Sequence, residues 1–222
     1  MKRFTIVLIA ALAFCANAGA QVPPDWDWAQ FYRYTESNAA LTCSPKAVFM
    51  GDSITDNWAA YDPGFFAEHN FAGRGISGQT TSHMLVRFWA DVIDLKPKYV
   101  VILAGTNDLA LNNGVMAYEN IMDNLTSMCE LARKHRIKPI LCSVTPSVQF
   151  GWRPYVDAIG EIPVLNGMIE AYAKSARIPY VDYYSLLVDE RHGLAPEYLG
   201  DETHPSLGGY KVMEELILKY LK

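Results

Sequence analysis

Cysteine is scarce in this chain, and so is basic charge. Four cysteines in 222 residues cannot supply the disulfide framework on which small exported scaffolds depend, and a chain of this length does not need one. Nineteen Lys and Arg stand against 24 Asp and Glu, for a formal net charge of -5. No basic stripe is present to neutralise phosphates, so nucleic acid is excluded as a partner. After residue 20 no apolar run approaches the about 20 residues that a bilayer-spanning helix needs. The five histidines and the acidic residues show no spacing of zinc type, so neither a metal nor another cofactor is implied. Internal repeats, linkers and low-complexity segments are also missing. What remains is half hydrophobic and 19% charged, a composition that suits one packed α/β domain and not disorder.

The first 20 residues stand apart from that domain. Lys2 and Arg3 form a positive start, Thr5 to Cys15 is an apolar run too short to span a bilayer, and Ala18-Gly19-Ala20 places small residues at the two positions a signal peptidase reads. The reading is a signal peptide over 1–20, cleavage near Ala20, a mature chain starting at Gln21, and a single domain over 21–222 that is exported to the periplasm or secreted. Cys15 raises lipoprotein processing as an alternative, but bulky Phe14 stands where a small residue is expected. Cleavage leaves Cys43, Cys129 and Cys142, an odd number that cannot all pair. Cys129 and Cys142 read as small core residues, and a Cys43 disulfide stays open.

The mature chain alternates between two periodicities. An aromatic, polar stretch at 26–34 predicts a helix lying on the domain. Ala47-Val48-Phe49-Met50, ending in Gly51, reads as a first strand, and the β-branched run 99–104 as a buried central strand. Residues 139–144 and 179–182 read as further strands. Helical spacing appears over 81–95 (Met84, Leu85, Phe88, Val92), over 116–135 (Ile121, Leu125, Met128, Leu131) and over 164–176. Ser206 caps a last helix with Val212, Leu216 and Leu218 facing inward. Residues 147–163 lack clear periodicity and read as a long loop near the site. Strands alternating with helices imply βαβ units, hence a parallel sheet covered on both faces with function at the carboxyl ends of its strands.

Those strand ends carry the chemistry. Gly51-Asp52-Ser53 puts a serine where a helix begins, and the outward N–H groups and positive dipole there favour an alkoxide-like nucleophile. Ser53 by itself would read as a helix cap, and Thr55 stands where the G-x-S-x-G elbow has its second glycine. Gly73 to Gly78 matches G-x-G-x-x-G, but it follows the second strand and lacks a properly placed acid, which sets dinucleotide binding aside. A tight turn that aims the Gly78 N–H into the crevice is the better reading. The central strand is followed by Gly105-Thr106-Asn107-Asp108, where the Asn107 amide is either an oxyanion donor, worth about 3 kcal/mol, or a turn residue. Asp201 and His204, three apart in one loop, can face the same place, His204 to take the Ser53 proton and Asp201 to hold its tautomer. His69, His83, His135 and His192 show no such partner.

Taken together, these four segments resemble the SGNH hydrolase (GDSL-like lipase/acylhydrolase) family, with its GDS-type turn, glycine loop, G-x-N-D loop and D-x-x-H loop in the same order across nearly the whole mature chain. The resemblance implies a three-layer α/β/α sandwich with a flavodoxin-like sheet, a Ser53-His204-Asp201 triad, and an oxyanion hole formed by the Ser53 and Gly78 N–H groups with the Asn107 side chain. Ile54 in place of the commoner Leu, and Glu202 where Gly is frequent, are the departures. The implied reaction is hydrolysis of carboxylic esters through an acyl-serine. Export of a small acidic domain without an amphipathic membrane helix favours a carbohydrate O-acetyl ester, with Trp26, Trp28, Trp58, Trp152 and Tyr155 as aromatics suited either to a sugar cleft or to the core. A lysophospholipase- or thioesterase-like activity on longer acyl chains is the alternative, with Phe65, Phe66 and Phe150 as potential groove residues. A non-catalytic glycan-binding module is a third reading.

Overall fold

Each of the four sequence blocks is carried out of the core by a short parallel strand or by the loop before the last helix. The computed structural model describes residues 26–222, so the leader, its cleavage point and Cys15 lie outside the described residues. Within them run β1 (Ala47–Gly51), β2 (Phe71–Gly75), β3 (Tyr99–Leu103), β4 (Lys138–Cys142) and β5 (Tyr180–Val181). Every pairing is parallel and the order is β2-β1-β3-β4-β5, the flavodoxin-like order. The helices are α1 (Thr35–Ala39), α2 (Ser53–Tyr61), α3 (Pro63–Glu68), α4 (Thr81–Phe88), α5 (Thr106–Leu109), α6 (Tyr118–Lys134), α7 (Ala158–Ala176), α8 (Tyr183–Leu187) and α9 (Leu207–Ile217). None of these helices is long and apolar enough to cross a membrane.

The pleat of the central strands divides the core in two. Val48 and Met50 of β1 face a cluster with Phe88 of α4, Leu125 of α6 and Leu165 of α7. Their neighbours Ala47 and Phe49 face the opposite cluster, with Trp58 of α2, Phe65 of α3 and Met213 of α9. Because β1 and β3 are buried on both faces, their sequences are continuously apolar instead of alternating. The result is the three-layer α/β/α sandwich. Cys129 and Cys142 are buried core residues, and both, like exposed Cys43, carry free thiols.

Four local expectations need correction. Residues 26–34 are not one continuous helix: a single 3-10 turn at Phe31–Tyr34 leads into α1, and Trp26, Phe31 and Tyr32 stay exposed. That segment is anchored by polar groups instead, with the Ala29 carbonyl accepting from Gln79 Nε2 and the Tyr34 hydroxyl donating to the Gly75 carbonyl. Helix α7 starts six residues earlier than expected, at Ala158, which ends the long loop at Asp157. Asp157 caps it, and Pro163 sits exposed near its start, where the missing N–H removes a single helix bond. In α9 the fully buried face is Tyr210, Met213 and Ile217, while Val212, Leu216 and Leu218 pack at its margin. Glu214 disguises that face in the sequence, since it is buried and accepts from Trp58 Nε1 at 3.0 Å. His83 does have a partner: its Nδ1 lies 2.7 Å from Thr80 Oγ1 at the start of α4.

Candidate active site

Helix α2 begins directly at Ser53. Asp52 caps it, its Oδ1 accepting from the Ile54 N–H at 3.0 Å, and this fixes Ser53 at the first helical position beyond β1. Only glycine fits at position 75 opposite, because a Cβ there would lie 2.2 Å from the Asp56 backbone nitrogen. Gly73 and Gly75 are thus strand residues that let α2 approach β2, and the turn proper is made by Gly78 at φ +80°. The N–H groups of Ser53 and Gly78 find no acceptor among the described residues.

The histidine arrives from the loop before α9. Asp201 Oδ1 accepts from the Thr203 and His204 N–H groups, each at 2.8 Å, and this turn folds both side chains to one side. His204 Nδ1 lies 2.8 Å from Asp201 Oδ2, and His204 Nε2 lies 2.8 Å from Ser53 Oγ across 151 residues of sequence. Partial burial pushes the Asp201 carboxyl upward, but the Thr203 and His204 N–H groups and the His204 ring outweigh it and hold the group below the ordinary aspartate range. It is therefore an anion at neutral pH, suited to a ring that must become positive. Ser147 secures this loop by donating to the Glu202 carbonyl at 2.8 Å.

The Asn107 side chain is buried at the start of α5, where its Nδ2 donates to the Gln79 carbonyl at 3.1 Å. Asn112 Nδ2 donates to Asn107 Oδ1 at 2.7 Å and to the Gly78 carbonyl at 3.2 Å, and Asn112 Oδ1 accepts from Trp152 Nε1 at 2.7 Å. Ser53, Asn57, Ser77, Gly78, Asn107, Asn112, Trp152 and His204 line one cleft of about 360 Å³. The sequence offers Trp152 as a candidate cleft aromatic but gives no sign of its contact with Asn112, 40 residues away along the chain. Asp108 belongs to the same sequence block as Asn107, but its role is not visible there. It accepts from the Thr81 N–H at 2.9 Å and the Thr81 hydroxyl at 2.6 Å, pinning the Asn107 loop to α4, and burial raises its pKa to about 6 against those bonds. Among the described residues no group of three His, Cys, Asp or Glu side chains converges as a metal site.

A cleft at the switch point between β1 and β3, with a serine, a histidine and an aspartate in one hydrogen-bonded chain, is an arrangement suited to hydrolytic chemistry. The family model for the GDSL-like Lipase/Acylhydrolase family matches residues 49–212, and the chain belongs to this family of ester-bond hydrolases. The crystal structure of a GDSL-like lipase from Bacteroides thetaiotaomicron is similar at a TM-score of 0.84 and 46% identity, over 87% of this chain and 97% of that one. Esterase TesA of Pseudomonas aeruginosa is 27% identical over 202 residues, 85% of this chain and 91% of its own length. The uncharacterized lipoprotein YqeF of Bacillus subtilis is 45% identical over 78 residues, 34% of this chain and 32% of that relative.

Proposed function

We propose that this protein is an exported serine esterase in which Ser53 is the nucleophile, His204 the general base and acid, and Asp201 the residue that orients and charges-balances the imidazole. The observation that carries the reading is the unbroken chain from Ser53 Oγ to His204 Nε2 at 2.8 Å and from His204 Nδ1 to Asp201 Oδ2 at 2.8 Å. His204 takes the Ser53 proton as Oγ attacks the ester carbonyl. The tetrahedral oxyanion is held by the Ser53 and Gly78 N–H groups and by Asn107 Nδ2, each such donor contributing about 3 kcal/mol in the transition state. His204 then protonates the leaving alcohol, and water repeats the sequence on the acyl-serine. Residues 21–222 act as one domain in this reading.

The substrate we favour is a carbohydrate O-acetyl ester. Hydroxyl and amide side chains line the cleft, with the indole of Trp152 as an aromatic face beside the His204 ring, a combination suited to a sugar and a small acyl group. Phe65, Phe66 and Phe150 are buried in the core and offer no acyl groove, and Trp58 is likewise buried. The alternative, hydrolysis of longer acyl chains, is favoured by a neighbouring depression of about 470 Å³ whose walls include Leu109, Leu111, Val115, Met116 and Val156.

Ser53→Ala should abolish hydrolysis with the melting temperature preserved, and unaltered turnover in that variant would remove the triad assignment. A p-nitrophenyl ester series run beside acetylated oligosaccharides distinguishes the substrates. An occupied groove adds about 0.8 kcal/mol per CH₂, so kcat/KM climbing to eight carbons or beyond would replace the acetyl reading with the long-chain one.

A further inference from the structure

The cleft contains a hydrogen-bonded link that the hydrolytic scheme does not use. Asn112 touches both elements assigned to the oxyanion hole. Its Nδ2 bridges Asn107 Oδ1, at 2.7 Å, and the Gly78 carbonyl, at 3.2 Å. Its Oδ1 is engaged by Trp152 Nε1 at 2.7 Å. Every polar atom of the Asn112 amide is therefore committed, and the arrangement has a direction. Trp152 can only donate, which forces oxygen toward the indole and nitrogen toward Asn107 and Gly78. A donor facing Asn107 in turn forces Asn107 to present its oxygen to Asn112. The Asn107 nitrogen is then directed to the Gln79 carbonyl, at 3.1 Å, with its second hydrogen left over. Reversing the Asn107 amide would set oxygen against the Gln79 carbonyl and nitrogen against the Asn112 nitrogen, two repulsive contacts in place of two favourable ones.

We propose that Asn112 is a positioning residue of the oxyanion hole, which locks the Asn107 amide with its donor toward the reacting carbonyl and ties it to the Gly78 peptide, and that Trp152, on the wall of the cleft, sets the orientation of Asn112. This rests on the esterase reading above and adds to it a route by which the substrate-contacting wall governs the catalytic donors. Trp152 is 38% exposed and comes from the loop between β4 and α7, whereas Asn107 is 2% exposed and follows β3. The wall that meets the substrate and the buried donor thus lie on different segments, and Asn112 is what joins them.

The experiment measures kcat and KM on p-nitrophenyl acetate, and inhibition by phenylboronic acid, whose tetrahedral adduct on Ser53 is an anion that presents a boron-bound oxygen where the oxyanion would form. Asn112→Ala should lower kcat by about 10- to 100-fold with KM changed by less than about threefold, and should weaken the boronic acid by the same factor as kcat. Asn112→Asp keeps the shape and the acceptor for Trp152 but turns an oxygen toward Asn107 Oδ1 and the Gly78 carbonyl. It should lose at least as much, and it decides the matter if Asn112→Ala does not fold. Trp152→Phe keeps a ring and removes the donor; it should lower kcat by about 3- to 10-fold in the unaltered background and cost nothing further in Asn112→Ala. A folded Asn112→Ala or Asn112→Asp with full kcat overturns the positioning role, and multiplicative losses in the double variant overturn the link to Trp152. Failure of the underlying reading looks different: the unaltered protein would then hydrolyse the ester no faster than Ser53→Ala, and both proposals would fall together.

Discussion

Asp52 stands one residue before Ser53 and is completely buried. Its Oδ1 takes the Ile54 N–H, while its Oδ2 has no partner among the described residues. Burial raises its pKa from the ordinary 3.8 to about 7, against the Ile54 N–H and the nearby His204, with Asp108 pushing the same way. Between those two values the folded chain holds a proton that the unfolded chain has lost. Stability from this group is therefore highest at the acid end and declines as pH rises from about 4 to about 7. Asp108, raised to about 6, acts in the same sense, and Asp201, held low, acts oppositely and only at more acid pH. Asp52→Asn keeps an acceptor for the Ile54 N–H and removes the titration. Urea unfolding between pH 4 and pH 8 should give a shallower slope for this variant and greater stability than the unaltered chain at pH 8. Identical slopes would assign the pH dependence elsewhere. The sequence names Asp52 only as part of a motif, since neither its burial nor its unpaired oxygen is visible in residue type.

At the scale of elements, Arg87 holds the ends of two strands together from inside a helix. It lies in α4 with no exposed surface. Its guanidinium donates to the Gly51 carbonyl at 3.0 Å and the Arg74 carbonyl at 2.9 Å, which close β1 and β2, and to Gln79 Oε1 at 2.6 Å and Asp91 Oδ2 at 2.9 Å. Arg87→Leu removes the ion-pair partner of buried Asp91, which keeps only the Asn38 Nδ2 hydrogen bond at 2.9 Å and the more distant Arg74 charge, and it should cost about 3 kcal/mol in urea unfolding. Arg87→Leu with Asp91→Leu should cost less than the single change, because no charge is then stranded; a double variant worse than the single one would show that the arginine acts through the carbonyls alone. The same contrast explains what was legible. The apolar runs of β1 and β3 and the stripes of α4 and α6 announce themselves, because burial on both faces, or on one face at helical spacing, leaves a pattern in hydrophobicity. Arg87 and Glu214 lie in buried faces yet count as polar, and so the α9 phase and the network behind the nucleophile were hidden. Ser53, Gly78, Asn107, Asp201 and His204 were nameable because each belongs to a short motif. Asn112 was not, since it belongs to no such motif and its contacts to Gly78 and Trp152 reach 34 and 40 residues away.

For the whole molecule, the sharp change in composition at Ala20 carries the expectation of export. Material recovered outside the cytoplasm should have the intact mass of a chain starting at Gln21. A lipid-bearing start at Cys15 would instead tether the esterase to a membrane. The fold meets a further constraint, which follows from the distance along the chain between its two proposed reacting ends. Ser53 sits at the first strand and His204 just before the last helix, 151 residues on, so the proposed nucleophile and its base cannot meet until almost the entire polypeptide has been threaded and packed. A sheet of parallel strands assembles through non-local contacts, which makes that meeting slow. A chain still emerging, with its first strands formed and its last loop unmade, carries a serine with nothing to draw off its proton. With Ser53 and His204 in the proposed roles, ester cleavage should begin only when the final loop has closed.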